Sequence, residues 1–445
     1  MSSLPPGPGA PPLAQTVRWL LAPIEFMEAC RRRFGEAFSV RFLGFERPMV
    51  MLSDPQAIRA LYSEPAHGLP PGRTVALRPI MGPQSVLLAE GPAHLERRRL
   101  MLPPFHGERM RAYEQAIAEI AREEVERWPR GEQLVLQPRM RAITLEVILR
   151  VVFGVSDAAR SERLPELLPR LLDGTSSVAL SFRVMLARRL GRRDPLASFA
   201  ALLAEIDELL LADIAARRAD PAAGARGDVL SLLLDARFED GSAMSDRDLR
   251  DQLVTLLLAG HETTATALAW TFDLLAHDPA ALRRATAEVR EDDGDRYLRA
   301  VISESLRLRP VVPLAGRRLA AELRVDGLAL PAGTDVTPAI WLTHTRPDLY
   351  PQPYSFRPER FLEQAPTTYG WIPFGGGVRR CLGAAFAELE MRVVLGVVLR
   401  RLELAAASPR AERVQRRNIT FAPRHGTRVR VTPAGRDAAG TSPGH

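Results

Sequence analysis

The chain has 445 residues, 46% hydrophobic and 25% charged, a composition that can bury a large core and enclose a small-molecule cavity. Its formal charge of +7 rests on arginine alone, because the sequence has no lysine. Basic clusters such as Arg31–Arg33, Arg97–Arg99 and Arg379–Arg380 are scattered among acids, so the high isoelectric point needs no nucleic-acid role. Two cysteines, Cys30 and Cys381, do not make a secreted disulfide scaffold. No apolar run approaches the roughly 18 residues that span a bilayer, and the start lacks a signal-peptide core, which points to a cytoplasmic protein without a membrane anchor.

Residues 1–12, rich in proline and glycine, read as an irregular tail. Helical spacing then predicts one helix over Trp19–Phe34, stopped by Gly35. Phe38–Phe42 and Met49–Leu52 read as a hairpin, and Asp54–Leu61 as a short helix. The Pro- and Gly-punctuated stretch Ser63–Gly91 reads as a long functional loop. A helix opens at Pro92, with His94 and Arg98 four apart and so on one face. Two donors at that spacing suit one carboxylate, although such pairs are usually surface features.

Tyr113–Trp128 and Leu134–Phe153 carry long helical patterns, the second stopped by Gly154, and Leu164–Leu190 and Leu196–Arg217 two more. Ser245–Ala276 is a long apolar helix opened by the capping box Ser245–Asp248. In its middle lies Ala259-Gly-His-Glu-Thr-Thr264. Ala259 and Gly260 leave room for a ligand on the helix surface. Thr263 offers a hydroxyl that can bend to a helical carbonyl or donate to a ligand. Glu262 is costly in an apolar run unless it is hydrogen-bonded or relays protons. His261 carries no assigned role.

Further helices are expected over Pro279–Val289 and Tyr297–Leu308, the latter holding Glu304 and Arg307 one turn apart. The apolar segment Val311–Gly316 precedes a strand–turn–strand over Leu323–Val336, with its turn at Pro331–Gly333, and a proline-dense coil over 343–361. Ile419–Ala422 reads as a late loop, and 433–445 as a frayed end. Before them, Phe374-Gly-Gly-Gly-Val-Arg-Arg-Cys-Leu-Gly383 sets Cys381 in a glycine-rich turn at the mouth of a helix. Helix N–H groups favour thiolate over thiol there. A lone thiolate fits an iron held in a macrocycle rather than a zinc site with about four protein ligands. Most lone cysteines, though, are buried free thiols.

The stretch resembles the haem-binding signature of the cytochrome P-450 family, F-x-x-G-x-R-x-C-x-G, filled here by Phe374, Gly377, Arg379, Cys381 and Gly383. The Ala259–Thr264 hexapeptide resembles that family's [AG]-G-x-[DE]-T-[TS]. Glu304-x-x-Arg307 with Arg360 of Pro358-Glu-Arg-Phe361 resembles its buried ion network, a geometry-fixing device behind the haem. The resemblance implies a mainly α fold with small β-sheets (α+β), a triangular helical prism holding haem between the long central helix and the Cys-ligand helix, in a single domain over 1–445. It implies haem b with Cys381 as the axial iron ligand, whose thiolate donation favours O–O cleavage. His94, Arg98, Arg318 and Arg379 would bind propionates, with Phe374, Gly375 and Gly383 shaping the ligand loop; Arg317 is the neighbour set aside. Glu262 and Thr263, beside Ala259 and Gly260, would deliver protons.

The same resemblance places substrate against Leu69, Leu77, Val86, Leu87, Phe182, Leu256, Val312, Leu314, Thr420 and Phe421. Their aliphatic character suggests a terpenoid, steroid or fatty-acid-like molecule, hydroxylated or epoxidised with O2. Electrons would come from a ferredoxin or flavodoxin and its NAD(P)H-dependent reductase, steered by Arg97, Arg99 and Arg380. The expected state is a monomer that binds no nucleic acid. A peroxide-driven or isomerising haem protein, a haem sensor and a basic nucleic-acid binder are the competing classes.

Overall fold

The computed structural model describes residues 4–43, 45, 47–63, 78–107, 109–154, 163–164, 166–168, 170–171, 197–222, 226–417 and 419–434. The expectations for Leu69, Leu77 and Phe182, and for most of the helix over 164–190, lie outside them. Helices α1 (Pro12–Leu21) and α2 (Pro23–Phe34) replace the single helix expected over Trp19–Phe34. Pro23 cannot donate a helical hydrogen bond and keeps Ala22 out of the α region, at φ −145° and ψ 65°, so the periodicity runs on while the axis breaks.

Strands β1 (Ala37–Val40) and β2 (Met49–Leu52) form the expected hairpin, followed by α3 (Pro55–Ser63). Then come α4 (Gly91–Met101), α5 (Arg109–Glu126), β3 (Gln133–Val135) and α6 (Leu136–Val147). A π-helical run over Ile148–Phe153 ends at Gly154, whose φ of +58° is the left-handed stop that glycine supplies cheaply. Helices α7 (Ala197–Ala219) and α8 (Val229–Asp235) lead to the central α9 (Asp246–Ala276). Its capping box is formed as expected, with Ser245 and Asp248 each satisfying the other's backbone N–H.

Next come α10 (Pro279–Arg290), α11 (Arg296–Leu308), β4 (Arg317–Arg318), β5 (Leu323–Val325), β6 (Leu328–Leu330) and β7 (Asp335–Pro338). The hairpin turn sits at Asp326-Gly327, both at positive φ, and not at Pro331–Gly333, which leads instead into β7. An Asp-Gly pair is the favoured two-residue hairpin loop. The chain closes with α12 (Ile340–His344), α13 (Arg360–Glu363), α14 (Ala384–Arg401), β8 (Leu402–Ala406), β9 (Val414–Arg417), β10 (Thr420–Pro423) and β11 (Arg428–Pro433).

The strands make small sheets: β1-β2-β7-β4, β3-β11-β8 and two pairs, β5-β6 and β9-β10. The main core gathers α5, α6, α9, α10, α11 and α14 around buried residues such as Leu253, Leu268, Phe272, Val301 and Val394. Helix α9 runs through its middle against α6, α11 and α14, which brings the two motif-bearing helices, α9 and α14, together.

Candidate active site

Cys381 lies two residues before the N-cap of α14. Its backbone N–H donates to Phe374 C=O at 2.9 Å, closing the glycine loop on itself. Gly377 adopts φ +64°, and a Cβ there would come within 2.6 Å of Tyr62 C=O on α3, so only glycine lets the loop lie flat against that helix. Cys381 sits deep among protein atoms, yet its side chain is solvent-accessible. A buried position with open surface is the wall of an internal space. Burial pushes the thiol pKa up, while the Gly383 N–H, Arg98 and Arg380 oppose it. The thiolate preference expected of the helix mouth is therefore outweighed by burial, and a bound metal cation would restore it.

Around the same loop stand His94 and Arg98 of α4, Arg379 of the loop and Arg317 of β4. His94 is buried, and its pKa falls to about 4 through burial and then the charges of Arg379, Arg98 and Arg317. Arg379, whose Nη2 donates to Ala89 C=O at 2.7 Å, is lowered to about 10 by burial and by Arg317 and Arg98, against Glu90. Burial also lowers Arg317 and Arg98. Arg98, Arg317 and Arg379 form no salt bridge with a described carboxylate. Buried cations that depress one another's proton affinity demand an anion. A macrocycle carrying two carboxylates fits this donor set, and Cys381 would hold its metal.

The expectation for Arg318 is corrected. Its guanidinium grips Asp335 with two hydrogen bonds, at 2.7 and 2.9 Å. Successive strand residues face opposite sides. Arg317, 7% exposed, is the one turned toward His94 and Arg379.

Along α9 most residues are buried, but Leu256, Ala259, Gly260 and Thr263 keep accessible surface. Their i, i+3, i+4, i+7 spacing makes one open face in the middle of a core helix. The Thr263 hydroxyl donates to Ala259 C=O at 2.5 Å. Glu262 turns away from that face: Arg141 Nε meets it at 2.6 Å and Arg141 Nη2 at 2.7 Å. Of the two readings of this acid, the hydrogen-bonded one describes its resting position.

Glu304 and Arg307, both fully buried, pair at 2.6 and 2.8 Å, and Arg360 Nε adds a third contact to Glu304 at 3.0 Å. Among the expected pocket residues, Val86 is buried and Leu87 is 43% exposed, while Leu256, Val312 and Leu314 are half-buried. Phe421 and Thr420 depart from expectation. Phe421 is buried against Trp19 at 6.1 Å, and the Thr420 hydroxyl donates back to Arg417 C=O, so both serve the β9–β10 hairpin and the core. Arg97 is likewise committed, to Asp248 at 3.3 Å, and Arg99 to Glu239 at 2.7 Å; Arg380 is exposed.

A family model described as Cytochrome P450 matches residues 5–425. This chain belongs to the cytochrome P450 family. It is 42% identical over 447 residues to cytochrome P450 135B1 of Mycobacterium tuberculosis, covering 99% of this chain and 93% of that one. To cytochrome P450 137 of the same species it is 43% identical over 404 residues, covering 91% and 84%. A solved retinoic acid-bound cyanobacterial CYP120A1 superposes with a TM-score of 0.82 at 26% identity, covering 97% of this chain and 99% of that one. The heme domain of cytochrome P450DA gives 0.81 at 24% identity, a likeness of fold. This P450 is thus a haem-thiolate monooxygenase by family, and among its described residues no helix is long and apolar enough to cross a membrane.

Two groups in this P450 escaped the motifs. Gln252 and Thr255 of α9 hold the segment 84–87 against the helix: Gln252 Oε1 accepts from Val86 N–H at 2.9 Å, Gln252 Nε2 donates to Gln84 C=O at 2.6 Å, and Thr255 meets Ser85 at 2.7 Å. They lie one turn and less from Leu256. The other is His344, fully buried, whose ring bridges Ile372 N–H at 2.8 Å and Arg307 C=O at 3.1 Å. A polar residue in an apolar run is the sole sequence signal for the first group. A histidine at the start of the proline-dense stretch is the sole signal for the second.

Proposed function

We propose that this P450 hydroxylates or epoxidises a hydrophobic small molecule of terpenoid, steroid or fatty-acid type, in a cleft between the open face of α9 and Cys381. The observation that carries the reading is the accessible Cys381 side chain, deep in the fold, ringed by His94, Arg98, Arg317 and Arg379 with no described carboxylate in salt-bridge reach. Haem, when bound, supplies oxygen activation and transfer. Cys381 Sγ would hold its iron and the four basic residues its carboxylates. Leu87, Leu256, Val312 and Leu314 would orient the substrate and exclude water. That the similar cyanobacterial protein was solved with retinoic acid, an elongated apolar molecule, supports the substrate class.

Thr263 Oγ1, which bonds Ala259 C=O, would hand a proton into the cleft. Glu262 would resupply it after leaving Arg141. Electrons would come from a ferredoxin or flavodoxin served by an NAD(P)H-dependent reductase, with exposed Arg380 at its docking face. The chain would work as a single-domain cytoplasmic monomer.

Cys381→Ala is expected to abolish the thiolate-type absorption of the reduced carbon-monoxide complex; an unchanged spectrum would defeat the ligand assignment. Thr263→Ala should retain substrate-induced spectral shifts while diverting electrons from product to peroxide. Coupling that stays intact would remove Thr263 from proton delivery.

A further inference from the structure

Exposed large apolar side chains are concentrated at one corner of the molecule. Helix α1 shows Leu13, Val17 and Leu21 to solvent at 59%, 43% and 80% exposure. They are spaced by four and so form one stripe, diametrically opposite the buried pair Gln15 and Trp19. The helix is therefore apolar on two sides, and the body of the protein uses one. The patch continues beyond the helix. Leu43, 50% exposed, donates its N–H to Thr16 Oγ1 at 2.7 Å, which sets it beside Val17. Phe45, 44% exposed, packs its ring 6.4 Å from Phe42, which in turn lies 5.8 Å from Trp19. Ile419, 52% exposed, joins from the turn of the β9–β10 hairpin, whose Phe421 packs on Trp19. The outer residues thus rest on a rigid aromatic footing of Trp19, Phe26, Phe42 and Phe421.

The border of this patch is basic. Arg18 follows Val17 on α1. Arg41 donates its backbone N–H to Gln15 Oε1 at 2.9 Å, and Arg47 lies just before β2. Arg416 stacks 5.4 Å above the Trp19 ring, with Arg417 next to it. None of these five arginines forms a salt bridge with a described carboxylate. Among the described residues the exposed acid nearest α1 along the chain is Glu25, one turn past Leu21, while Glu46 falls in sequence between Phe45 and Arg47. At other surfaces, by contrast, Arg150, Arg163, Arg218, Arg290 and Arg400 each hold a carboxylate.

We propose that this corner docks on an anionic lipid surface, with α1 lying in the interface, its Leu13–Val17–Leu21 stripe among the acyl chains and the arginines on headgroup phosphates. A helix with an apolar stripe, flanked by cations, is the form of an interfacial anchor rather than a span. A second copy of the chain is the poorer occupant, since a twofold contact through this patch would bring two sets of five arginines together. The docking places an enzyme for apolar substrates at the phase where such molecules concentrate, though the surface stands whatever the substrate proves to be.

The test is flotation of the full-length holoprotein with vesicles of phosphatidylcholine alone and of phosphatidylcholine mixed with phosphatidylglycerol, at low and high salt. The wild type should float with the anionic vesicles, less so at high salt, and little with the neutral ones. Val17→Glu with Leu21→Glu should weaken that binding more than about tenfold. Arg18→Glu with Arg41→Glu should weaken it comparably. All these side chains are exposed, so the haem spectrum and thermal unfolding of the variants should match the wild type, which separates docking from misfolding. Wild-type protein that stays in the aqueous phase overturns the proposal. So does vesicle binding indifferent to both double variants. Sedimentation showing a wild-type dimer that the variants dissolve, without vesicle binding, would assign the patch to self-association instead.

Discussion

His344 is predicted to be the strap that holds the Cys381 loop to the buried ion network. The ring has one possible proton position. Ile372 N–H can only donate, so Nε2 accepts, and Nδ1 carries the proton to the Arg307 carbonyl. In return, Arg307 Nη1 donates to His344 C=O at 2.7 Å. Ile372 is two residues before Phe374, whose carbonyl accepts from Cys381 N–H. The chain of contacts therefore runs Arg307, His344, Ile372, Phe374, Cys381. His344→Leu would strand a buried N–H and a buried C=O, at about 1–3 kcal/mol each, hence roughly 2–6 kcal/mol together. His344→Gln can offer an acceptor and a donor and should recover more than half of that.

A pH signature distinguishes the strap from mere packing. Burial, and then Arg307, lower the His344 pKa from 6.5 to about 3. The folded state keeps the ring neutral while the unfolded chain takes up a proton below pH 6.5. Stability is therefore lost as pH falls from 6.5 toward about 3, at up to ~1.4 kcal/mol per unit. Urea unfolding across that range should show this slope in the wild type, and a slope smaller by one proton in His344→Gln. The reduced carbon-monoxide spectrum should lose thiolate character in His344→Leu first. If His344→Leu unfolds within about 1 kcal/mol of wild type and keeps its thiolate spectrum, the strap does not exist.

Arg317→Leu should weaken haem retention about tenfold or more, read from haem content after dialysis, because it removes a charge-assisted partner. Arg318→Leu should leave haem content unchanged and lower stability by about 1–3 kcal/mol by stranding Asp335, which is 4% exposed. Glu390 is buried on α14 with an unpartnered Oε1, and burial raises its pKa well above 4.5. A raised acid adds stability below pH 4.5 that is lost as pH climbs, so Glu390→Gln should raise the urea midpoint at neutral pH and leave it unchanged under acid.

What the sequence disclosed were features carried by neighbours along the chain. The Ser245–Asp248 box, the Gly154 stop and the spacing of Phe374 to Gly383 all depend on residues within one or two turns, and each appears in the structure. Break points were harder, because apolar periodicity passes through Pro23 without a phase change. Failures arose where the decision belongs to distant chain. Whether Arg317 or Arg318 faces the His94 cluster depends on the pleat of β4 against β7. Phe421 is drawn inward by Trp19, some four hundred residues away in sequence. Gln252 and Val86, or His344 and Ile372, are side-chain-to-backbone pairs, and backbone groups have no letter in the sequence.

Rotation of α9 decides whether its open face can be a site at all. At about 100° per residue, a slip of one position would carry Thr263 away from the face it shares with Leu256, Ala259 and Gly260. Apolar packing resists this weakly, since leucines border both sides. The resistance comes from α6, which sets Gln137, Arg141 and Thr144 at i, i+4 and i+7 against the opposite side of α9. Arg141 pairs Glu262, Gln137 reaches Glu262 and Thr266 at 3.4 and 3.5 Å, and the Thr144 hydroxyl lies 2.8 Å from His261 Nδ1. Each of these partners would be stranded in the core by a slip, at a cost no rearranged leucine could return. His261 and Glu262 thus register the helix on one side, and Thr263 takes its bearing on the other from them.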